Sequence, residues 1–271
     1  IDWFPISATW PGLTFLLAVL ICAVPVFLFI AVYALVVIYG ELKISSFMQD
    51  KVGPMGQGVG LHAWRWGLLQ PVADALKLIL KEDIIPSSAD KKLFILAPFI
   101  VFIGAFIAFS ALPFSQTLII ADMNIGVFYI LAVSSIGVIG LIMAGWSSNN
   151  KWSLYGAMRS AAQIVSYEIP AALSIIAVIM LTSTMSMQGI IQYQDGLIWG
   201  FLPNWLIFNN PFTFLAFFIF FISGVAECNR TPFDIPEAES ELVAGAFTEY
   251  SGMRYAFFFL SEYANMFVVA G

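Results

Sequence analysis

The stretch "PFTFLAFFIFFISGVAECNRTPFDIPEAESELVAGAFTEY", residues 211–250, joins two unlike halves. Its first fifteen residues carry no charge and are mostly apolar. The remainder concentrates Glu227, Asp234, Glu237, Glu239, Glu241 and Glu249. The apolar half needs a core or lipid around it, whereas the acids need water, cations or a polar cavity. Which solvent surrounds the first half decides the fold.

Composition answers that question. The chain is 61% hydrophobic and 10% charged, with a mean hydropathy of +0.91 and 26 phenylalanines. A soluble domain carries about 25% charged residues. The chain therefore reads as a membrane protein, with room for about six spans of roughly 20 apolar residues each. The apolar runs fall at 11–38, 92–112, 125–146, 163–183, 210–227 and 253–271. The expected fold is an all-α polytopic membrane protein, a single membrane domain over 1–271, with amphipathic surface helices and an acidic cytoplasmic loop. The N-terminal "IDWFPISATW" lacks the basic flank of a signal peptide, so the first run reads as a retained span. The last run, "YAFFFLSEYANMFVVAG", stops without a polar flank, which leads us to expect further C-terminal spans.

Basic residues set the orientation. Lys43, Lys51, Arg65, Lys77, Lys81, Lys91 and Lys92 follow the first run. Lys151 and Arg159 lie between the third and fourth, and Arg230 and Arg254 between the fifth and sixth. Segments 1–10, 113–124 and 184–209 have none. The positive-inside rule places the basic loops, and the acidic loop with them, on the cytoplasmic side. The chain shows no repeat and no inverted symmetry between its halves, which weighs against a stand-alone secondary transporter.

Within "RWGLLQPVADALKLILKED", Gln70, Asp74, Lys77 and Lys81 follow helical spacing beside an apolar face. This predicts a helix lying in the membrane surface or across other helices, with Trp64 and Trp66 suited to the interface. "GPMGQGVG" (53–60) resembles a glycine-rich phosphate loop, but no βαβ pattern surrounds it, so it reads as a connector. "NRT" at Asn229 matches a glycosylation sequon on the wrong side of the membrane. Cys22, Cys228 and His62 form no metal or heme pattern, so any redox cofactor belongs to a partner.

Two acids fall inside apolar runs: Glu168 in "QIVSYEIPAAL", about two turns into its span, and Glu262 in "FLSEYANMF", near mid-membrane depth. A charge there costs at least about 2.5 kcal/mol. Such residues face a bundle interior or water, pair with a partner, or carry a proton. A proton relay needs that property, and a structural hydrogen bond between helices is the plainer alternative. Glu227 and Glu41, at the inner ends of two spans, extend the set. In the acidic loop, Pro232 and Pro236 argue against helix in the first half. Glu237 and Glu241 would share one face of a helix in the second. Phe233, Ile235, Leu242, Val243 and Phe247 would fold the loop back onto the membrane domain, so that its acids line a partly buried polar cavity.

Four long runs together carry a family resemblance: "GLLQPVADALKLILKEDIIP" (67–86), "GWSSNNKWSLYGAMRSAAQIVSYE" (145–168), "AECNRTPFDIPEAESELVAG" (226–245) and "TEYSGMRYAFFFLSEYANM" (248–266). With the spans between them, they make almost the whole chain resemble the quinone-site membrane subunits of NADH:quinone oxidoreductase, respiratory complex I. The resemblance implies eight spans, of which six are visible here. It implies a quinone entrance and chamber at the junction with a hydrophilic arm. FMN and iron–sulfur clusters would sit in partner subunits, none would be bound by this chain, and antiporter-like membrane subunits would be further partners. It assigns the proton path to Glu168, Glu227, Glu241 and Glu262. It places Glu41, Lys51, Asp74, Glu82, Asp234 and Glu237 around the quinone entrance and chamber. Departures are Leu42 in "GELK" and Lys51 in "MQDKVGP", both where the family usually has Arg, and Met55 where Asn is common. Lys keeps the charge but loses the planar fork. The expected membrane is the bacterial inner membrane, with the mitochondrial inner membrane as the alternative. The rival readings are a homologous subunit of a membrane-bound hydrogenase-type complex, a stand-alone transporter, and a passive anchor. The intramembrane acids are costly for an anchor.

Overall fold

A computed structural model of the chain describes residues 11–55, 65–115, 118–198, 202–234 and 239–271. Expectations for Trp64, His62, Ile235, Pro236, Glu237 and most of the glycine-rich connector lie outside the described residues.

The structure is helical, apart from a two-residue antiparallel pair, β1 (Leu197–Ile198) with β2 (Leu202–Pro203). Among the described residues, four helical stretches are long and apolar enough to cross a membrane: Phe15–Met48, Lys91–Ala108, Gly126–Ser147 and Lys151–Thr182. The chain is an integral membrane protein. The fifth expected span forms a shorter apolar helix, Pro211–Glu227. The sixth forms the helix Gly252–Ala270, whose Arg254, Glu262 and Asn265 make it more polar than the others.

The chain divides into two compact units, Ile1–Leu76 and Lys77–Gly271. In the first, α1 (Pro11–Met48) runs past the end of its apolar stretch. Helix formation does not stop where hydropathy does. At its end Lys43 donates to the Pro54 carbonyl, and Tyr39 donates to the Trp66 carbonyl at 3.0 Å. The amphipathic helix is α2 (Gln70–Leu80), and Gln70 donates to Asp74 on its polar stripe at 3.3 Å.

The second unit is a bundle of α3 (Lys91–Ala108), α4 (Gly126–Ser134), α5 (Ile136–Ser147), α6 (Lys151–Thr182), α8 (Pro211–Glu227) and α10 (Gly252–Ala270). α7 (Met187–Tyr193) is a short connector, and α9 (Glu239–Leu242) is one turn in the acidic loop. Asparagines start two of these helices, α6 and α8: Asn150 accepts from Trp152 N and Asn210 from Phe212 N, so each occupies an exposed backbone donor. The loop expected before the fourth span is therefore brief. Lys151 and Arg159 lie within α6, and Glu168 sits at its middle rather than two turns from its start.

The third expected span is interrupted. α4 and α5 meet at Ser135, where the Ser134 and Ser135 hydroxyls both approach the Leu131 carbonyl at 3.0 Å. Serines that bond back to the preceding turn bend helices. Pro170, by contrast, is carried inside an unbroken α6.

The core joins Phe94, Val101, Val138, Leu141, Ile164, Tyr250 and Phe258. Tyr250 stacks on Phe94 with centroids 4.0 Å apart. Outward-facing Leu173, Met180 and Phe212 are 61%, 77% and 80% exposed, as lipid-facing side chains would be.

The acidic loop does fold back. Leu242 is buried, Phe247 packs against the core, and Phe233 meets Tyr167 edge-on at 5.1 Å. Val243 departs from the expectation and is 70% exposed. The loop lies directly on the α6 backbone: a Cβ on Gly156 would come within 2.6 Å of Ala246 N. Ser153 then reaches the Ala246 carbonyl at 2.9 Å.

Candidate functional site

The polar groups of the bundle converge where α8 ends. Gln163, buried on α6, turns its side-chain amide toward the loop that follows α8. Its Nε2 donates to Ala226 O at 2.9 Å, Asn229 Oδ1 at 3.2 Å and Phe233 O at 2.7 Å. Two protons shared among three acceptors close the start of the loop over the last turn of α8, which carries Glu227. This packing also ties up the Asn229 side chain.

Glu227 and Glu262 come together around one cavity of about 50 Å³. Ser134, Ser160, Asn229 and Asn265 line it with them. Ser134, at the α4–α5 break, lines this cavity with Glu227. Ser135 donates instead to Glu168 Oε1 at 2.9 Å. Adjacent serines at one helix break thus turn two ways, Ser134 into the cavity and Ser135 to Glu168. On the other side, Arg230 Nε sits 3.4 Å from Glu262 Oε1, and its guanidinium lies 4.9 Å from the Tyr263 ring. A cation ion-paired on one edge and lying over an aromatic ring is held in position.

Ser134, Glu227 and Asn265 also line a second, larger pocket of about 730 Å³, mostly apolar, between α4, α6, α8 and α10. These three residues stand between a small cavity of mixed lining and a broad apolar one.

Three of the four expected proton-path acids, Glu168, Glu227 and Glu262, therefore gather here. Glu241 does not line the cavity. It pairs with Arg159 at 2.7 Å, with 62% of its side chain exposed. The residues expected near a quinone entrance are spread along the chain. Glu41 is exposed on α1, and Lys51 donates to Gln49 at 2.9 Å. Asp74 accepts from Gln70, and Glu82 and Asp234 are exposed. Glu237 lies outside the described residues.

Near Glu82, Ser251 links the 82–84 segment to the start of α10. It donates to Glu82 O and accepts from Ile84 N, both at 3.2 Å. Arg254 pairs with Asp83 at 3.2 Å. Beside them, burial pushes the Tyr250 hydroxyl up to about 12, against weaker opposing effects of the Ser147 hydroxyl and Arg254.

Sequence reasoning missed Gln163 and the serines 134, 135 and 160. They are uncharged, so a search for costly intramembrane charges passes over them. A signal was available: each is a polar residue inside a membrane-length helix, where polar side chains face the bundle interior.

Comparison with known proteins identifies the family. The family model described as NADH dehydrogenase matches residues 20–271. The chain is 55% identical over 271 residues to the H subunit of NADH-quinone oxidoreductase from Chlorobaculum parvum, covering 100% of this chain and 70% of the relative. Its counterpart in Geobacillus sp. is 51% identical, over 86% of this chain and 66% of the relative. That of Anaeromyxobacter dehalogenans is 47% identical, over 97% of this chain and 62% of the relative. A match across nearly the whole chain, at identities near one half, places this protein in the NADH dehydrogenase family.

Proposed function

We propose that this chain is the quinone-site membrane subunit of a proton-pumping NADH:quinone oxidoreductase, respiratory complex I. The named relatives support the enzyme. The observation that carries the coupling role is the cavity shared by Glu227, Glu262 and Ser134, with Glu168 bonded to the adjoining Ser135.

The chemistry runs from charge to proton. Each electron added to a quinone makes an anion that attracts protons. Carboxyls in a low-dielectric bundle feel such a charge strongly, because little water screens it. Glu227, Glu262 and Glu168 answer by taking up and releasing protons along the bundle. Glu241, held by Arg159, stands at the outer end of that line. Glu41, Lys51, Asp74, Glu82, Asp234 and Glu237 belong to the entrance and chamber region. The quinone is the substrate. FMN and iron–sulfur clusters belong to partner subunits, and antiporter-like membrane subunits receive the protonic signal. The six expected spans are α1, α3, α4 with α5, α6, α8 and α10, of eight in the full architecture, with basic loops on the cytoplasmic side of a bacterial inner membrane.

The test is to extract the protein from its native membrane in mild detergent and identify what accompanies it. A large assembly with flavin, iron–sulfur centres and NADH:quinone activity is expected. A nickel-containing partner would move the chain to a hydrogenase-type complex. A chain that purifies alone and still moves ions would overturn the reading.

A further inference from the structure

Three lysines without an acidic partner meet at one end of the second unit. Lys91 and Lys92 open α3, and Lys151 opens α6. Hydrogen bonds between the preceding segments bring the two helix starts to one corner. Asp90 N donates to Ser147 O at 3.0 Å, and Asn149 Nδ2 donates to Ser88 O at 3.2 Å. Among the described residues, no carboxylate pairs with any of the three lysines. The acids of this corner are engaged elsewhere. Asp90 accepts from Lys92 N and Glu249 from Asn150, and Glu241 is neutralised by Arg159.

Aromatic rings flank the third lysine. Lys151 Nζ lies 5.1 Å from the centre of the Trp152 ring. Lys151, Trp152, Tyr155, Arg159, Glu241 and Leu242 line a surface pocket of about 300 Å³. The end of α5 closes on the same turn of α6: a Cβ on Gly145 would come within 2.9 Å of Ser153 O, and the exposed Trp146 follows it. From this head the outward face of α6 continues as an apolar stripe. Tyr155, Met158, Val165, Ile169 and Leu173 recur at helical spacing, all exposed, and Lys151 falls on their face four residues before Tyr155. Cations, then rings, then an apolar stripe reproduce the order of a lipid: headgroup, interface, acyl chain. A soluble anion would use only the first of these.

We propose that this corner binds one anionic phospholipid. Its phosphate lies among Lys151, Lys91 and Lys92. Its glycerol region enters the pocket beside Trp152 and Tyr155, and an acyl chain follows Met158, Val165 and Ile169. Basic pockets at the ends of membrane helices recognise anionic headgroups by charge, and aromatic rings suit the depth of the glycerol region. Neither Glu227 nor Glu262 lines this pocket, and the lipid site does not rest on the proposed function.

The test uses the protein with the subunits that purify with it, placed in phosphatidylcholine vesicles. Two photoactivatable lipids are added separately, a phosphatidylglycerol and a phosphatidylcholine, each with a diazirine on one acyl chain. Labelled peptides are identified by mass spectrometry. Phosphatidylglycerol should label residues 152–169 at least about fivefold more than phosphatidylcholine does, because each lysine near the surface contributes about that preference. Raised salt should weaken the preference. Lys151→Gln should lower it about fivefold, and the triple variant Lys91→Gln, Lys92→Gln, Lys151→Gln should abolish it. Equal labelling of the wild type by both lipids overturns the proposal, whether or not the variants assemble. A face of α6 that neither lipid labels also overturns it, and means that a partner protein covers the stripe. Labelling displaced by millimolar inorganic phosphate would make this a soluble-anion site and overturn the lipid assignment. A preference that survives in the triple variant would remove the lysines from the site.

Discussion

The hydroxyl of Ser135 donates to Glu168 Oε1 at 2.9 Å, from the break between α4 and α5 to the middle of α6. An acid in a membrane helix needs a local reason to be tolerated. Here the serine between α4 and α5 bonds to it. Hydrogen bonds to charged groups contribute about 1.5–3 kcal/mol. Ser135→Ala should therefore slow proton-coupled turnover about tenfold or more, while Ser135→Thr retains most of it. Proton uptake and NADH oxidation in the same vesicles check this. An unchanged alanine variant would mean the bond is packing alone.

Gln163 fastens the loop. Removing its amide leaves three acceptors short of a donor in the bundle. Gln163→Leu should destabilise the closed loop by about 1–3 kcal/mol. Amides in 228–234 should then exchange with deuterium faster than those of α3. Equal protection in both proteins would show that the hydrophobic contacts of Phe233 and Leu242 close the loop unaided.

Gly156 and Gly40 make a matched pair. A methyl group on Gly156 meets the backbone of Ala246 at 2.6 Å, and backbone cannot yield as a side chain does. Gly156→Ala should cost about 1–3 kcal/mol through overpacking. The same change at Gly40 meets nothing within 4 Å on α1 and should stabilise by about 0.4–1 kcal/mol. Thermal inactivation midpoints of the assembled complex distinguish the two.

Tyr250 gives a pH prediction outside the spans. Its hydroxyl is pushed by burial from 10.0 up to about 12. The folded state therefore holds a proton that the unfolded state releases earlier. The stabilisation is complete below pH 10 and is lost as pH rises toward 12. Tyr250→Phe keeps the stack on Phe94 and removes the ionisable group. It should flatten that alkaline decline, measured as the unfolding midpoint at several pH values. An identical decline in the variant would place the cause elsewhere.

Hydropathy located the apolar runs because lipid demands length and lack of charge, and these are local properties. It misplaced the helix ends because those follow capping: Asn150 starts α6 well before the apolar run begins, and α1 continues to Met48 through charged residues. The break at Ser135 was hidden, since no proline marks it. The acids Glu168, Glu227 and Glu262 stood out as expensive residues in a greasy chain. Their meeting did not, because it depends on which faces of α6, α8 and α10 turn inward. Glu241 shows the limit of reading acids alone. Its neighbour Arg159, one helix away, holds it on the exposed side.

The central claim is that Glu227 moves protons in step with quinone chemistry. The most direct measurement compares Glu227→Gln with wild type in the assembled complex, recording NADH:quinone turnover and proton uptake in the same vesicles. Glutamine keeps the shape, with an amide NH₂ donor in place of one carboxyl oxygen, but cannot release a proton. Full assembly is expected, with coupled activity reduced by about 10²-fold or more, the scale of a lost proton-transfer group. Normal turnover with normal pumping would contradict it.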